Sequence, residues 1–367
     1  MEVFNNTITK SQQRFWSPEI RTLSPYIPGE QSHSTEIIKL NTNENPYPPS
    51  PHVIDAITHA LGQQADCLRL YPNSDAFPLR VTIAHQQGLS ADQVFVGNGS
   101  DEVLAFIFKA FFIHPNQPIL YPDISYSFYP VYTQFYQLQT KAIPVDQNFE
   151  IQVQDYVQEN GGIIIANPNA PTGIALDLEQ IKSLLESNPD RVVVIDEAYV
   201  DFGAESAVQL IADYENLVVC QTTSKSRSLA GLRIGYALAQ PHLICALDRV
   251  KNSFNSFPVD HLAMVAAQAS FHDQTYFEKI CTQIIQNRKT LIQHMTTLGF
   301  NILPSKANFI FASHPEYSAK ILAQQLKDQH ILVRYFDKPR IENFLRISVG
   351  SAAENQVLIH TLKDIIG

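Results

Sequence analysis

A lysine becomes a catalyst when its ammonium form is destabilised, and one lysine in this sequence sits where that can happen. Lys225 directly follows an apolar run, inside the small polar residues of QTTSKSRSLAGLRIGYA (221–237). Arg233 lies eight positions further on. A nearby cation and partial burial would lower the lysine's pKa and free a nucleophilic amine. A phosphate-binding lysine or a plain loop lysine fits the same position. Two other apolar runs also end in polar groups. RVVVIDEAYVDF (191–202) carries Asp196, Glu197 and Tyr199. An acid placed there can be a metal ligand, a ribose binder or an ordinary loop residue. VFVGNGSDEVL (94–104) puts glycines, Ser100 and Asp101 between a strand and a helix. Ser100 is the expected N-cap, and Asp101 and Glu102 fall in the first turn, where carboxylates offset the helix dipole. The same pattern makes an anion site, because glycines let the backbone approach a phosphate and free N–H groups bind it.

These segments need a scaffold that collects strand ends. Short β-branched runs occur at 93–98, 117–122, 162–168, 191–199 and 216–224. Each is apolar throughout, as expected of strands covered on both faces. Helical patterns such as DEVLAFIFKAFF and LEQIKSLLESN lie between them. Alternation of this kind implies an α/β fold, with a mainly parallel sheet between helices and its site at the C-terminal strand ends. The first fifty residues, rich in Pro and Asn, read as extended loop. From about residue 245 the pattern is helical for a long stretch, then gives short strands in NFIFAS, ILVRYF and FLRISVG. The expected organisation is an N-terminal arm (1–45), a large α/β domain (46–250) and a smaller α+β domain (251–367).

Composition excludes several classes. The net charge of −10 comes with no block of basic residues, which argues against a nucleic-acid partner. The four cysteines, Cys67, Cys220, Cys245 and Cys281, form no CxxC motif and no disulfide framework, which suits a reducing cytoplasm. The twelve histidines include no pair at the i,i+4 spacing of a helical zinc site, and no metal is expected. The N-terminus lacks the apolar stretch of a signal peptide. The most apolar helix-like run, residues 103–114, is too short to span a bilayer and contains Lys109. No GxGxxG or GxxxxGK motif marks a plain nucleotide-binding module.

The motifs together carry a resemblance. NPNAPTG (167–173), DEAY (196–199) and SKSRSLAGLRIGY (224–236) follow the order and approximate spacing of the fold-type I pyridoxal-phosphate (PLP) enzymes, and the chain resembles their class II aminotransferases from about Tyr26 to the C-terminus. The resemblance implies that Lys225 holds PLP as a Schiff base and shuttles protons. It implies that Asp196 pairs with the pyridine nitrogen and that Tyr199 bonds the ring oxygen O3′. Ser100, Asp101, Ser224 and Arg233 would surround the phosphate, and Tyr126 would stack on the ring. Many relatives place Asn directly before the proline of the NPTG motif. Here that position is Ala170, and the O3′ contact is assigned to Asn169.

SPYIPGEQ, LNTNENPYPPSP, RLYPNSDAFPLR and FLRISVG narrow the likeness to a branch acting in histidine biosynthesis. Its members exchange the amino group of L-histidinol phosphate with 2-oxoglutarate. By that likeness Arg346 meets the carboxylate of glutamate, Arg334 helps bind the substrate phosphate, and Tyr26 lies near the imidazole. Tyr71 would reach the PLP phosphate of a neighbouring subunit, which implies a homodimer in the cytoplasm. Threonine-phosphate decarboxylases and aromatic aminotransferases share the scaffold and most of these motifs. A PLP-binding regulator would need a DNA-binding domain, and the first fifty residues hold no helix-turn-helix pattern.

Overall fold

A computed structural model describes residues 12–30 and 36–367. Seven strands form the larger sheet: β2 (Val94–Asn98), β3 (Ile119–Pro122), β4 (Thr140–Ile143), β5 (Ile163–Ala166), β6 (Val193–Asp196), β7 (Leu217–Thr222) and β8 (Ile234–Ala239). Their spatial order is β2-β8-β7-β6-β5-β3-β4. All neighbours run parallel except β8, which is antiparallel to both β2 and β7. Alternate residues of these all-apolar strands enter two different cores. Val193, Ile195, Leu217 and Val219 pack towards α2 (Phe77–Gln87), α5 (Leu178–Glu186) and α7 (His261–His272). Val194, Val218 and Cys220 pack towards α3 (Ser100–Phe111) and α6 (Pro241–Phe254). Burial of each such side chain contributes about 1.5–3 kcal/mol, so buried polar residues of the central strands gather towards their ends. Asp196, the last residue of β6, stands there.

The second sheet has the order β1-β11-β12-β10-β9. It is made of β1 (Ile38–Leu40), β9 (Asn301–Ile302), β10 (Phe309–Ser313), β11 (Ile331–Tyr335) and β12 (Leu345–Ser348). The expected extended arm thus contributes a strand, with β1 running parallel to β11. Three residues are too few for a readable alternation, and their pairing is with a segment about 290 positions away. The long helical stretch divides at Asp273, whose carboxylate caps α8 (Gln274–Thr297) and accepts from Ser50 Oγ. The preceding α7, expected in the C-terminal unit, buries Ala263, Met264, Ala267 and Phe271 in the larger sheet's core. α9 (Ala319–Asp328) and α10 (Ala352–Ile366) cover the second sheet. The remaining helices are α1 (Pro51–Leu61) and α4 (Tyr129–Phe135). No helix among the described residues is long and apolar enough to cross a membrane.

β8 sets the position of α3. Gly97 pairs with Gly235 where β2 and β8 cross behind the start of that helix. A Cβ on Gly235 would lie 2.2 Å from the Ser100 nitrogen and 2.4 Å from the Gly99 carbonyl carbon. Backbone must move to relieve that clash, because no flexible side chain is involved. Gly235→Ala should therefore destabilise the protein by about 1–3 kcal/mol or more, as overpacking does, and shift the α3 N-terminus. Thermal unfolding reads the first effect and cofactor retention after dialysis the second. A melting temperature unchanged by the methyl group would contradict this account of the crossing.

Candidate active site

The C-terminal ends of β5, β6 and β7, the start of α3 and the edge of the second sheet enclose a cleft of about 210 Å³. Lys225, Asp196, Tyr199, Ser100, Asp101, Tyr126, Ser224, Arg233, Tyr26, Arg334 and Arg346, all singled out in the sequence, line it. Asn169 and Tyr71 do not.

Lys225 emerges three residues after β7 ends, and its Nζ donates to the Thr42 carbonyl at 3.1 Å. Burial lowers its pKa to about 8, helped by the Arg346 cation and, to a smaller degree, by Arg233. Glu44 and Asp101 oppose that shift. The expected cation was Arg233, but Arg346, from the second sheet, has the larger effect. The Lys225 ammonium lies 5.9 Å from the Tyr199 ring centre.

Asp196 is 5% exposed. Its Oδ2 accepts from the Tyr129 hydroxyl at 2.9 Å, while Oδ1 is buried with no partner. Burial raises its pKa to about 6, outweighing the Tyr129 bond and the Ala198 amide. Glu197 points away from the cleft. It accepts from Ser206 Oγ, the Ala207 amide and Gln221 Nε2, and burial pushes it up to about 7. Tyr199 stands edge-on to Phe309, with ring centres 5.0 Å apart. Its oxygen accepts from Asn43 Nδ2 at 3.0 Å, which leaves its own proton free.

At the start of α3 the cap is Gly99, not Ser100 as expected. Gly99 takes φ +83° and Ser100 is the first helical residue. The reason is spatial: a Cβ on Gly99 would fall 2.4 Å from Arg233 Nη2. The guanidinium lies across the glycine and reaches Asp101 Oδ2 at 3.3 Å. Tyr126 OH donates to the other Asp101 oxygen at 3.0 Å. Unpaired N–H groups at this helix start, Ser224 and Arg233 together suit a phosphate.

The opposite wall is basic. Arg334 and Arg346 are direct cross-strand partners on β11 and β12. Like charges in that register destabilise a sheet unless an anion joins them. Arg346 Nη2 donates to the Asn41 carbonyl at 2.9 Å, and its Nε is buried with no partner. Phe309 and Phe336 flank its guanidinium at 5.5 and 5.7 Å. Tyr26 leans on Phe128, centres 5.0 Å apart, at the mouth.

The structure holds Asn169 outside the cleft lining. Its amide donates to the Ile124 carbonyl and Thr172 Oγ1, and its Oδ1 accepts from Ser125. It is 1% exposed and ties two loops together, so its polar atoms are spent, and Ala170 faces the cleft instead. Tyr71 is 84% exposed and stacks on Phe257 at 4.7 Å, outside the cleft. The structure also adds residues that sequence reasoning passed over. Asn41, Thr42 and Asn43 line the cleft. The signal was the asparagine-rich LNTNENP, but nothing in it distinguishes which asparagine faces a ligand.

The Asp196 and Lys225 geometry fits a pyridine ring with an aldehyde. A buried, half-satisfied carboxylate suits a protonated nitrogen, an amine of lowered pKa lines the same cleft, and the helix start suits a phosphate. Fold and site define a pyridoxal-phosphate-type aminotransferase. The family model for aminotransferase class I and II matches residues 35–362, and the chain belongs to that family. Among curated relatives, the histidinol-phosphate aminotransferase of Acinetobacter baumannii is 64% identical over 98% of this chain and 99% of its own. Histidinol-phosphate aminotransferase 2 of Dechloromonas aromatica is 53% identical over 96% and 99%. The solved structure of histidinol-phosphate aminotransferase from Sinorhizobium meliloti, in complex with pyridoxal-5′-phosphate, shares the fold. It has a TM-score of 0.87 at 24% identity, covering 96% of this chain and 98% of that one.

The raised carboxyls give a pH signature in the cofactor-free protein. Asp196 moves from 3.8 to about 6 and Glu197 from 4.5 to about 7 on folding. Between those values the folded state binds more protons than the unfolded one, so stability falls as pH rises through the window. Asp196→Asn removes its share. From about pH 4 to about pH 6 the wild type should lose melting temperature relative to this variant. Parallel melting curves for the two across that range would show that Asp196 does not titrate as described.

Proposed function

We propose that this chain transfers the amino group of L-histidinol phosphate to 2-oxoglutarate, giving imidazole acetol phosphate and L-glutamate, with pyridoxal 5′-phosphate as the carrier. The observation that carries the reading is the paired Arg334 and Arg346 beside Lys225, with one guanidinium nitrogen buried and unbonded. A site that alternates between a phosphate and a carboxylate needs such a wall, because a planar guanidinium binds either anion in bidentate fashion. The full-length similarity to curated histidinol-phosphate aminotransferases supports the same substrate pair.

Bound pyridoxal phosphate supplies an electron sink that makes the substrate's Cα–H acidic. The chain's residues do the rest. Lys225 Nζ would hold the cofactor and, with its amine free, would take the proton from the substrate Cα as general base and give it back as general acid. Its lowered pKa suits that alternation. Asp196 Oδ1 would meet the pyridine nitrogen, Tyr199 would donate its proton to the ring oxygen, and Tyr126 would cover the ring. The N–H groups of Ser100 and Asp101, with Ser224 and Arg233, would hold the phosphate. Tyr26 would close the imidazole end. Ala170 offers no donor to the ring oxygen.

We further place the enzyme as a cytoplasmic homodimer. The described cysteines are all free. Exposed Leu68, Leu70, Tyr71, Phe254 and Phe257 provide apolar surface for a second copy, whose phosphate site Tyr71 would complete. If so, mixing Tyr71→Phe and Lys225→Ala chains should restore activity, because one site in each mixed dimer carries both native residues. Subunit exchange without rescue would oppose a shared site.

An amino-donor panel tests the substrate. Histidinol phosphate should outrun phenylalanine, tyrosine and threonine phosphate, and preference for phenylalanine would reject the assignment. Arg346→Ala should damage both half-reactions by about 30-fold to several thousand-fold in kcat/KM, the loss of about 2–5 kcal/mol for a desolvated guanidinium contact. Arg334→Ala should damage the histidinol-phosphate half most, read from the cofactor's absorbance in each half-reaction.

A further inference from the structure

We propose that Tyr129 is a positioning residue for the cofactor's ring nitrogen: its buried hydroxyl, donating to one oxygen of Asp196, aims the other oxygen at the ring and keeps the shared proton on the nitrogen. The proposal rests on the reading of the cleft as a pyridoxal-phosphate site.

Tyr129 is the first residue of α4 and is fully buried. Tyr126 meets its ring edge-on at 5.5 Å and 89°, Tyr121 packs at 6.3 Å and Phe108 at 6.5 Å. The ring therefore cannot swing, and its hydroxyl meets Asp196 Oδ2 at 2.9 Å. Burial and the Asp196 charge both raise the phenol's pKa, so it stays protonated and remains a donor. Tyr129 does not line the cleft and touches no ligand there. Whatever it does to the reaction, it does through Asp196.

The carboxylate has two oxygens with different fates. Oδ2 is engaged and Oδ1 is buried without a partner. With the first oxygen anchored, the second is held in one direction. The bond also changes chemistry. A hydrogen bond donated to a carboxylate stabilises its charged form and makes it a weaker base. A ring nitrogen opposite Oδ1 competes with that oxygen for a single proton, and the weaker the carboxylate, the more firmly the proton stays on nitrogen. Among the other groups around Asp196, only the Ala198 amide acts in the same direction, and with a smaller effect. Asp101, from α3, raises its pKa, and Cys220 on β7 is a buried thiol held neutral. Desolvation alone would drive Asp196 towards its neutral form, and the bond from Tyr129 is the first-ranked influence against it.

The experiment is 15N NMR of the holoenzyme loaded with pyridoxal phosphate labelled at the ring nitrogen. The wild type should show a protonated nitrogen. In Tyr129→Phe the resonance should move towards the unprotonated position, the direction also expected of Asp196→Asn. In the Asp196→Asn background, Tyr129→Phe should add no further shift. Cofactor dissociation should be about tenfold or more faster in Tyr129→Phe, as expected for loss of a bond to a charged group. Should the phenylalanine variant fail to fold, 4-aminophenylalanine at position 129 keeps the shape with a weaker donor and should give an intermediate shift. An unchanged nitrogen resonance in either variant overturns the proposal. So does an equal displacement in the Asp196→Asn background, which would assign the effect to ring packing. Borohydride reduction and peptide mapping of the wild type keep the two readings apart. A cofactor trapped anywhere but Lys225 rejects the cleft as the site, whatever the resonance shows.

Discussion

A carboxylate buried at a strand end, with one oxygen bonded and the other bonded to nothing, is unfavourable to fold around. Asp196 is that group, and the rest of the cleft is arranged about it. β6 delivers it because the strand's alternation puts Val194 and Asp196 on the face that α3 and α6 cover. The chain tolerates it because Tyr129 satisfies half of it. The unsatisfied half is what a protonated ring nitrogen would complete, so the folding penalty and the capacity to bind a cofactor are the same feature.

A second constraint is polar and joins the two sheets. Residues 41–43 run on from β1 and meet the cleft from the second sheet's side. Asn41 offers its carbonyl to Arg346, Thr42 offers its carbonyl to Lys225, and Asn43 donates to Tyr199. Asn43 is also bonded to Ser348 through its amide nitrogen and Oδ1, and its carbonyl accepts from Asn308. Three consecutive residues therefore connect Lys225, Tyr199 and Arg346. A shift of β12, which carries both Arg346 and Ser348, would be felt at Tyr199.

Much of the site was legible because its residues occupy short, strongly patterned segments. Lys225, Asp196, Tyr199 and Arg233 follow apolar runs whose strand character is plain, and the parallel sheet gathers those ends at one edge. Where reading along the chain went astray, competition between partners is the reason. Asn169 has the right side chain at nearly the right place, but Ile124, Ser125 and Thr172 capture it first. Ser100 is a good cap by type, yet the backbone one residue earlier turns to φ +83°, a conformation that favours glycine, and Gly99 becomes the cap. Tyr129 was one tyrosine among several in YPDISYSFYP, and only packing distinguishes it. The boundary between the two units was also blurred, because α7 has a helical pattern that fits either core.

By itself the sequence determined the alternation of strands and helices, the order of polar strand ends and the charge types that meet an anionic, ring-bearing ligand. These follow from period, burial preference and local turn chemistry, which act over a few residues. Tertiary structure alone decided which cation depresses Lys225, which oxygen of Asp196 is left free and that a three-residue strand from the arm completes the second sheet. Those outcomes depend on contacts between segments up to about 300 positions apart. A hydrogen bond's worth lies in a few tenths of an ångström and a few degrees, and no spacing along the chain encodes them.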